Sequence, residues 1–121
     1  MSTGRQNSAL GAYGERVAAR HLVESGLVVL DRNWRCDAGE IDLVLRDDDV
    51  LVFCEVKTRT STAYGHPLEA VDAAKTERLV RLAERWIGEH DVVAPQVRFD
   101  VVAVLRSRRG AADVEHVKGL G

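Results

Sequence analysis

The sequence predicts an α/β domain in which one mixed β-sheet is flanked by helices. Three observations predict it. Helix-like and strand-like segments follow one another in the order helix, three strands, helix, two strands. The second and third strands are joined only by a short aspartate-rich turn, which forces them antiparallel. The chain has 121 residues, 45% of them apolar, enough for one domain over residues 1–121 with a real core.

Each element has a local reason. "ALGAYGERVAARHLVESG" from Ala9 reads as a helix that Ser8 caps and Gly26 ends. "LVVLDRNWRC" reads as a short strand followed by irregular chain. Strands are expected at about Glu40 to Arg46 and Val50 to Arg59, with Asp47, Asp48 and Asp49 only turning the chain. After the loop "TSTAYGHP", Pro67 suits the first turn of a helix through "LEAVDAAKTERLVRLAERWIGEH". "QVRFDVVAVLR" is a strong strand, with Val97, Phe99, Val101, Ala103 and Leu105 on one face, and "VEHV" is a weak last one. Residues 1–7 and 118–121 are expected to be flexible ends.

Composition excludes several classes. Net charge is formally −2, which argues against wrapping nucleic acid non-specifically but leaves room for a local basic face. No apolar run approaches membrane-spanning length, and the N-terminus has no apolar signal core, so a cytoplasmic location with no membrane partner is expected. Cys36 and Cys54 form no metal-type spacing, and Cys54 reads as a small buried hydrophobe.

The informative residues are charges at apolar positions. With period two, Glu55 and Lys57 share a strand face with Leu51 and Phe53. On the preceding strand Glu40 and Asp42 share a face with Val44, while Ile41, Leu43 and Leu45 point the other way. A tight hairpin brings Asp42 towards Glu55. On the first helix Glu15 lies within the stripe of Gly11, Ala12, Ala18, Ala19 and Leu22. On the second helix Lys75 lies within the stripe of Leu68, Val71, Leu79, Leu82 and Trp86. Buried charges are costly unless paired or bound to a metal.

Asp42 and Glu55 offer the carboxylate oxygens that hard cations such as Mg²⁺ prefer, with Mn²⁺ as a substitute. The Val56 main-chain carbonyl offers another oxygen, and Glu15 completes the shell. Lys57 is placed to orient a water and offset phosphate charge, which is the equipment of metal-assisted phosphodiester hydrolysis. Arg59 extends the same strand face and is the leading phosphate contact, followed by Thr58, Arg35 and Lys75. Each residue also has a plainer reading. Glu55 and Lys57 form an ion pair, Asp42 is an exposed hairpin carboxylate, Glu15 pairs with Arg16 or Arg20, and Lys75 snorkels outward. Arg59 and Arg35 are then solvated, and Trp34 is a core or edge residue. Neither His66 nor His116 is expected to bind metal.

The ordered set "GAYGERVAARHL", "NWRCDAGEIDLV", "VFCEVKTR", "PLEAVDAAKTERL" and "RFDVVAV" spans nearly the whole chain. It resembles the PD-(D/E)xK nuclease superfamily, and within it the small bacterial YraN family, which is similar to archaeal Holliday-junction resolvases. Ile41 stands where the superfamily proline would be. The resemblance implies a restriction-endonuclease-like three-layer sandwich and Mg²⁺-dependent cleavage of DNA, including branched or flapped DNA, in repair or recombination. It implies metal ligation by Asp42, Glu55 and Glu15, with Lys57 as the catalytic lysine. A homodimer would suit paired cuts at a junction, and a monomer would suit a nick or flap. The alternative is a DNA-binding accessory protein on a nuclease-like scaffold.

Overall fold

In a computed structural model, residues 8–60, 73–93 and 96–119 are described. Among them, helix α1 (Ser8–Glu24) leads into strands β1 (Val28–Cys36), β2 (Gly39–Asp47) and β3 (Val50–Arg59). Helix α2 (Ala73–His90), β4 (Gln96–Leu105) and β5 (Asp113–Val117) follow. The strands form one five-stranded sheet in the order β1-β2-β3-β4-β5. Only β3 and β4 are parallel, and the connection between them includes α2. Parallel neighbours need a long crossover, which the helix supplies.

The two helices take opposite faces. Ala18, Ala19 and Leu22 of α1 pack with Leu43, Leu45, Val52, Cys54, Val102 and Val104. Leu79, Leu82, Ala83 and Trp86 of α2 pack with Ile41, Val44, Leu51 and Phe53. This is the expected three-layer arrangement. It also explains why β3 and β4 are buried in continuous runs, Leu51–Cys54 and Asp100–Val104, since both faces of each strand are covered. No described helix is long and apolar enough to cross a membrane.

Local chemistry sets the ends. The Gly26 N–H donates to the Val23 carbonyl at 3.0 Å and the Leu27 N–H to the Leu22 carbonyl at 3.0 Å. Gly26 takes φ 101 there, so α1 stops in a Schellman turn that returns Leu27 to the core beside Leu22. The β2–β3 turn needs only Asp48 and Asp49, with φ 54 at Asp48. Asp47 stays in β2, and its carboxylate accepts from Arg98 Nη1 at 3.1 Å, so it does more than turn the chain. β1 is also longer than the sequence reading allows, running through Cys36 with a register shift between Val29 and Asp31. Trp34 packs against the α2 cluster, as a core or edge residue would. Pro67 lies outside the described residues.

Strict alternation also fails within β2. Ile41 packs on the α2 side with Val44, whereas Leu43 and Leu45 pack on the α1 side. The expectation that Ile41 sits with Leu43 and Leu45 is therefore corrected. The cause is local. Asn33, which would stand opposite Asp42 in the β1–β2 register, adopts φ 52. A left-handed residue in β1 changes that strand's side-chain phase, and β2 changes phase at Asp42, the residue facing it. The pairing skips Asn33 and Asp42, and Trp34 and Ile41 resume it on the α2 side.

Candidate active site

The β2–β3 ladder runs from Asp47↔Val50 to Leu43↔Cys54 and then stops. Asp42 is the next residue of β2 and has no strand partner on either side. Its side chain reaches into the gap, where Asp42 Oδ2 accepts the Val56 N–H at 2.8 Å. A carboxylate thus replaces a ladder carbonyl and satisfies an N–H that the parting strands would strand. The same fork leaves Glu55 opposite Asp42, as the hairpin length allows.

Asp42 is an unusual carboxylate. Burial pushes its pKa up, the Val56 N–H pulls it down, and Glu15, Glu55 and Glu40 push it up again, to about 7. Glu15 is also raised, chiefly by desolvation. The Asn33 side-chain amide and the Arg35 guanidinium favour its charged form, while Glu40 opposes it. Acids from α1, β2 and β3 therefore feel one another at one end of the sheet.

Helix α1 brings Glu15 there because Gly14 permits close approach. A Cβ at Gly14 would lie 1.8 Å from Thr58 Oγ1, so any side chain would lift the helix off β3. Lys57 Nζ lies 2.6 Å from Glu55 Oε2, and both side chains are mostly buried. That pair stands as the plainer reading has it. Arg59 Nη1 donates to the Thr58 carbonyl at 3.0 Å. Arg35 Nε lies 3.5 Å from Glu40 Oε2 at a more exposed position. Lys75 is in the first turn of α2, with its side chain outside the described residues.

Among the described residues, no three His, Cys, Asp or Glu side chains are arranged to hold a metal ion. The donor chemistry still fits a hard cation. Asp42 and Glu55 are all-oxygen donors, each with one carboxylate oxygen that receives no hydrogen bond or ion pair from the described residues. Mg²⁺ commonly takes one or two protein carboxylates and completes its shell with water and substrate phosphate.

A second charged cluster escaped the sequence reading. Asp100 is fully buried on β4. Its carboxylate accepts from Arg98 Nε at 2.9 Å and Arg98 Nη2 at 3.0 Å. His116 Nε2 donates at 2.7 Å and the Gly119 N–H at 3.0 Å. Burial would raise its pKa, but the hydrogen bonds from His116, Arg98 and Gly119 outweigh that and hold it at about 2. His116 therefore has a partner, and the tail is tied down at Gly119. The signal available in sequence was Asp100 itself, a charge inside the apolar run "FDVVAV". Cys54 is buried, and desolvation raises its thiol pKa further from reactivity.

Comparison with known proteins identifies the family. The model of the uncharacterised protein family UPF0102 matches residues 14–104. A UPF0102 protein of Beutenbergia cavernae is 62% identical over 117 residues, covering 97% of this chain and 99% of that one. A UPF0102 protein of a Nocardioides species is 61% identical, covering 93% of this chain and 91% of that one. One from Streptomyces griseus is 57% identical, covering 93% of this chain and 95% of that one. The chain belongs to the UPF0102 family, which is distantly related to the PD-(D/E)xK nucleases.

Proposed function

We propose that this protein is a metal-dependent endonuclease that hydrolyses phosphodiester bonds in DNA, with branched and flapped DNA as candidate substrates. One observation carries the reading. Asp42 sits at the strand fork among Glu15, Glu40 and Glu55, where desolvation first and then those acids drive its proton affinity up to about 7. A divalent cation would relieve that crowding as a proton does, and perturbed carboxylates cluster at functional sites.

Asp42 and Glu55 would hold Mg²⁺ or Mn²⁺, with the Val56 carbonyl and Glu15 as further oxygen donors. When bound, the ion would supply Lewis-acid charge beside the phosphate and a more acidic water. Lys57, now paired with Glu55, supplies the positive charge that orients water and offsets charge developing on phosphate oxygens. Asp42 keeps its place through the Val56 N–H, which holds one oxygen and leaves the other to turn outward.

The test is cleavage of linear, flap and four-way-junction DNA with Mg²⁺, Mn²⁺ or chelator. Glu55→Gln and Lys57→Ala proteins are assayed beside the parent. Metal-dependent cutting that both substitutions abolish supports the enzyme. Unchanged cutting by both variants sinks this site. A second reading, a DNA-binding accessory protein, is favoured by the tight Lys57–Glu55 pair and by the lack of a three-ligand group among the described residues. Binding without cutting under every ion would select it.

A further inference from the structure

Charge is polarised along β3. Its first residue follows the Asp47, Asp48 and Asp49 corner, and its last is Arg59, with Lys57 two residues earlier. Ten strand residues separate the two ends by roughly 30 Å. The parallel neighbour β4 adds to the basic end. Leu105 is the register partner of Arg59, and the Arg106 N–H donates to the Arg59 carbonyl at 2.8 Å. The β4–β5 connection that begins there carries Arg106, Arg108 and Arg109, all exposed.

The connection is anchored. The Arg106 guanidinium lies over the Tyr13 ring, 5.0 Å from its centroid. Tyr13 is two residues before Glu15, so the arginine turn docks on the helix that carries an acid of the site. Ser107 Oγ donates to the Arg109 carbonyl at 2.6 Å and accepts the Arg109 N–H at 3.1 Å, which fixes the backbone between them. Asp113, opposite Leu105 at the start of β5, is the nearby acid, yet none of the four arginines forms an ion pair among the described residues. Arg35, Arg85 and Arg98 each have carboxylate partners.

We infer that Arg106, Arg108 and Arg109 of the β4–β5 turn, together with Arg59, form a contact surface for the sugar–phosphate backbone of the nucleic acid held at the strand fork. This rests on the proposed nuclease reading and extends it to a segment outside the acidic site. Guanidinium forks without a carboxylate partner among the described residues suit phosphate oxygens. Two strand residues advance roughly 7 Å, so Arg59 stands far enough beyond Lys57 to meet a neighbouring phosphate. The turn then continues the track. An acidic corner at the far end of the sheet repels the same polyanion and helps fix its direction.

The test is fluorescence anisotropy with a labelled DNA duplex and a labelled single strand, in chelator to prevent cutting, from about 50 to 200 mM salt. The probe proteins are the parent, Arg108→Glu/Arg109→Glu, Arg108→Gln/Arg109→Gln, and Arg78→Glu/Arg81→Glu as a matched charge change on exposed positions of α2. The turn variants are expected to bind at least about tenfold more weakly, with the salt slope shallower by about 1 to 2. The α2 variant is expected to keep the parent's slope. Equal weakening of the turn and α2 variants would assign the effect to net charge and overturn the inference. Unchanged binding by both turn variants would overturn it while leaving the cleavage assay to judge the nuclease reading. A parent protein that binds neither DNA would overturn the inference, and the cleavage assay with metal would still judge the nuclease reading.

Discussion

Asp42 and Asp100 are both carboxylates inside one sheet, and their surroundings drive them in opposite directions. Asp100 is completely buried yet held at about pH 2, because Arg98, His116 and the Gly119 N–H fill its oxygens. Asp42 is raised to about 7, because desolvation comes first, three neighbouring acids add to it, and a single N–H opposes them. Burial pushes both carboxylates up, so it does not by itself decide the outcome. The number and sign of the neighbours do. A filled network is complete as it stands and fastens β4 to β5 and the tail. An unfilled one has room for a ligand.

The largest predicted effect breaks the filled side. Asp100→Ala leaves Arg98 and His116 without their common acceptor and should cost about 3–5 kcal/mol in urea denaturation. A loss below about 1 kcal/mol would mean the network is not structural. The pH dependence has a definite sign. The folded pKa of Asp100 lies below its usual 3.8, so its contribution is present above pH 3.8 and is lost as pH falls towards 2.

The next prediction runs the other way. Asp42→Asn keeps an oxygen for the Val56 N–H and removes the repelled charge, so it should stabilise the protein by about 1–3 kcal/mol at pH 8 while abolishing cleavage. The folded pKa of Asp42 is raised from 3.8 to about 7. The advantage of its protonated form is therefore full below pH 3.8 and lost as pH rises through 7. Parent and variant should converge in stability near pH 4. A variant less stable than the parent at pH 8 would show that the Asp42 charge is already satisfied.

Two smaller effects sharpen the contrast. Mg²⁺ at ten times its Kd should stabilise the parent by about 1.4 kcal/mol in thermal unfolding and should leave Asp42→Asn unmoved. Equal stabilisation of both proteins would place the ion elsewhere. Smallest of all, Asn33→Ala should cost about 1 kcal/mol, since the side chain is exposed but Ala tolerates φ 52 less well than Asn. It should raise the Glu15 titration midpoint further, followed by NMR of the carboxyl carbon, because the amide that favours the charged form is gone. A midpoint that falls or stays put would remove Asn33 from the site.

Much of this was legible in the chain. Period two sorted Glu55 with Lys57, and the structure pairs them. The apolar runs located β2, β3 and β4, and the helix wheel marked Glu15 as a charge out of place. The misreadings share one cause. Period two holds only while a strand keeps its phase, and β2 changes phase at Asp42, opposite Asn33 at φ 52 on β1. The sequence reading therefore put Ile41 on the wrong face and could not see that Asp42 fills a strand fork. Asp100 and His116 are 16 residues apart, and only the β4–β5 register brings them within 2.7 Å. Likewise Arg106 meets Arg59 only because β4 lies parallel to β3.

By itself, then, the sequence determined what is local: which segments are helix or strand, where Gly26 ends α1, and which ionisable groups stand at apolar positions. Propensity, capping and side-chain period act over a few residues, so they can be read without a fold. Tertiary structure decided which charges are neighbours. Proton affinity and ion pairing depend on distances between residues far apart in the chain, and those are fixed only when the sheet closes its register. That is why Asp42 and Asp100, two aspartates on strands of similar apolar character, become a perturbed acid and a settled one.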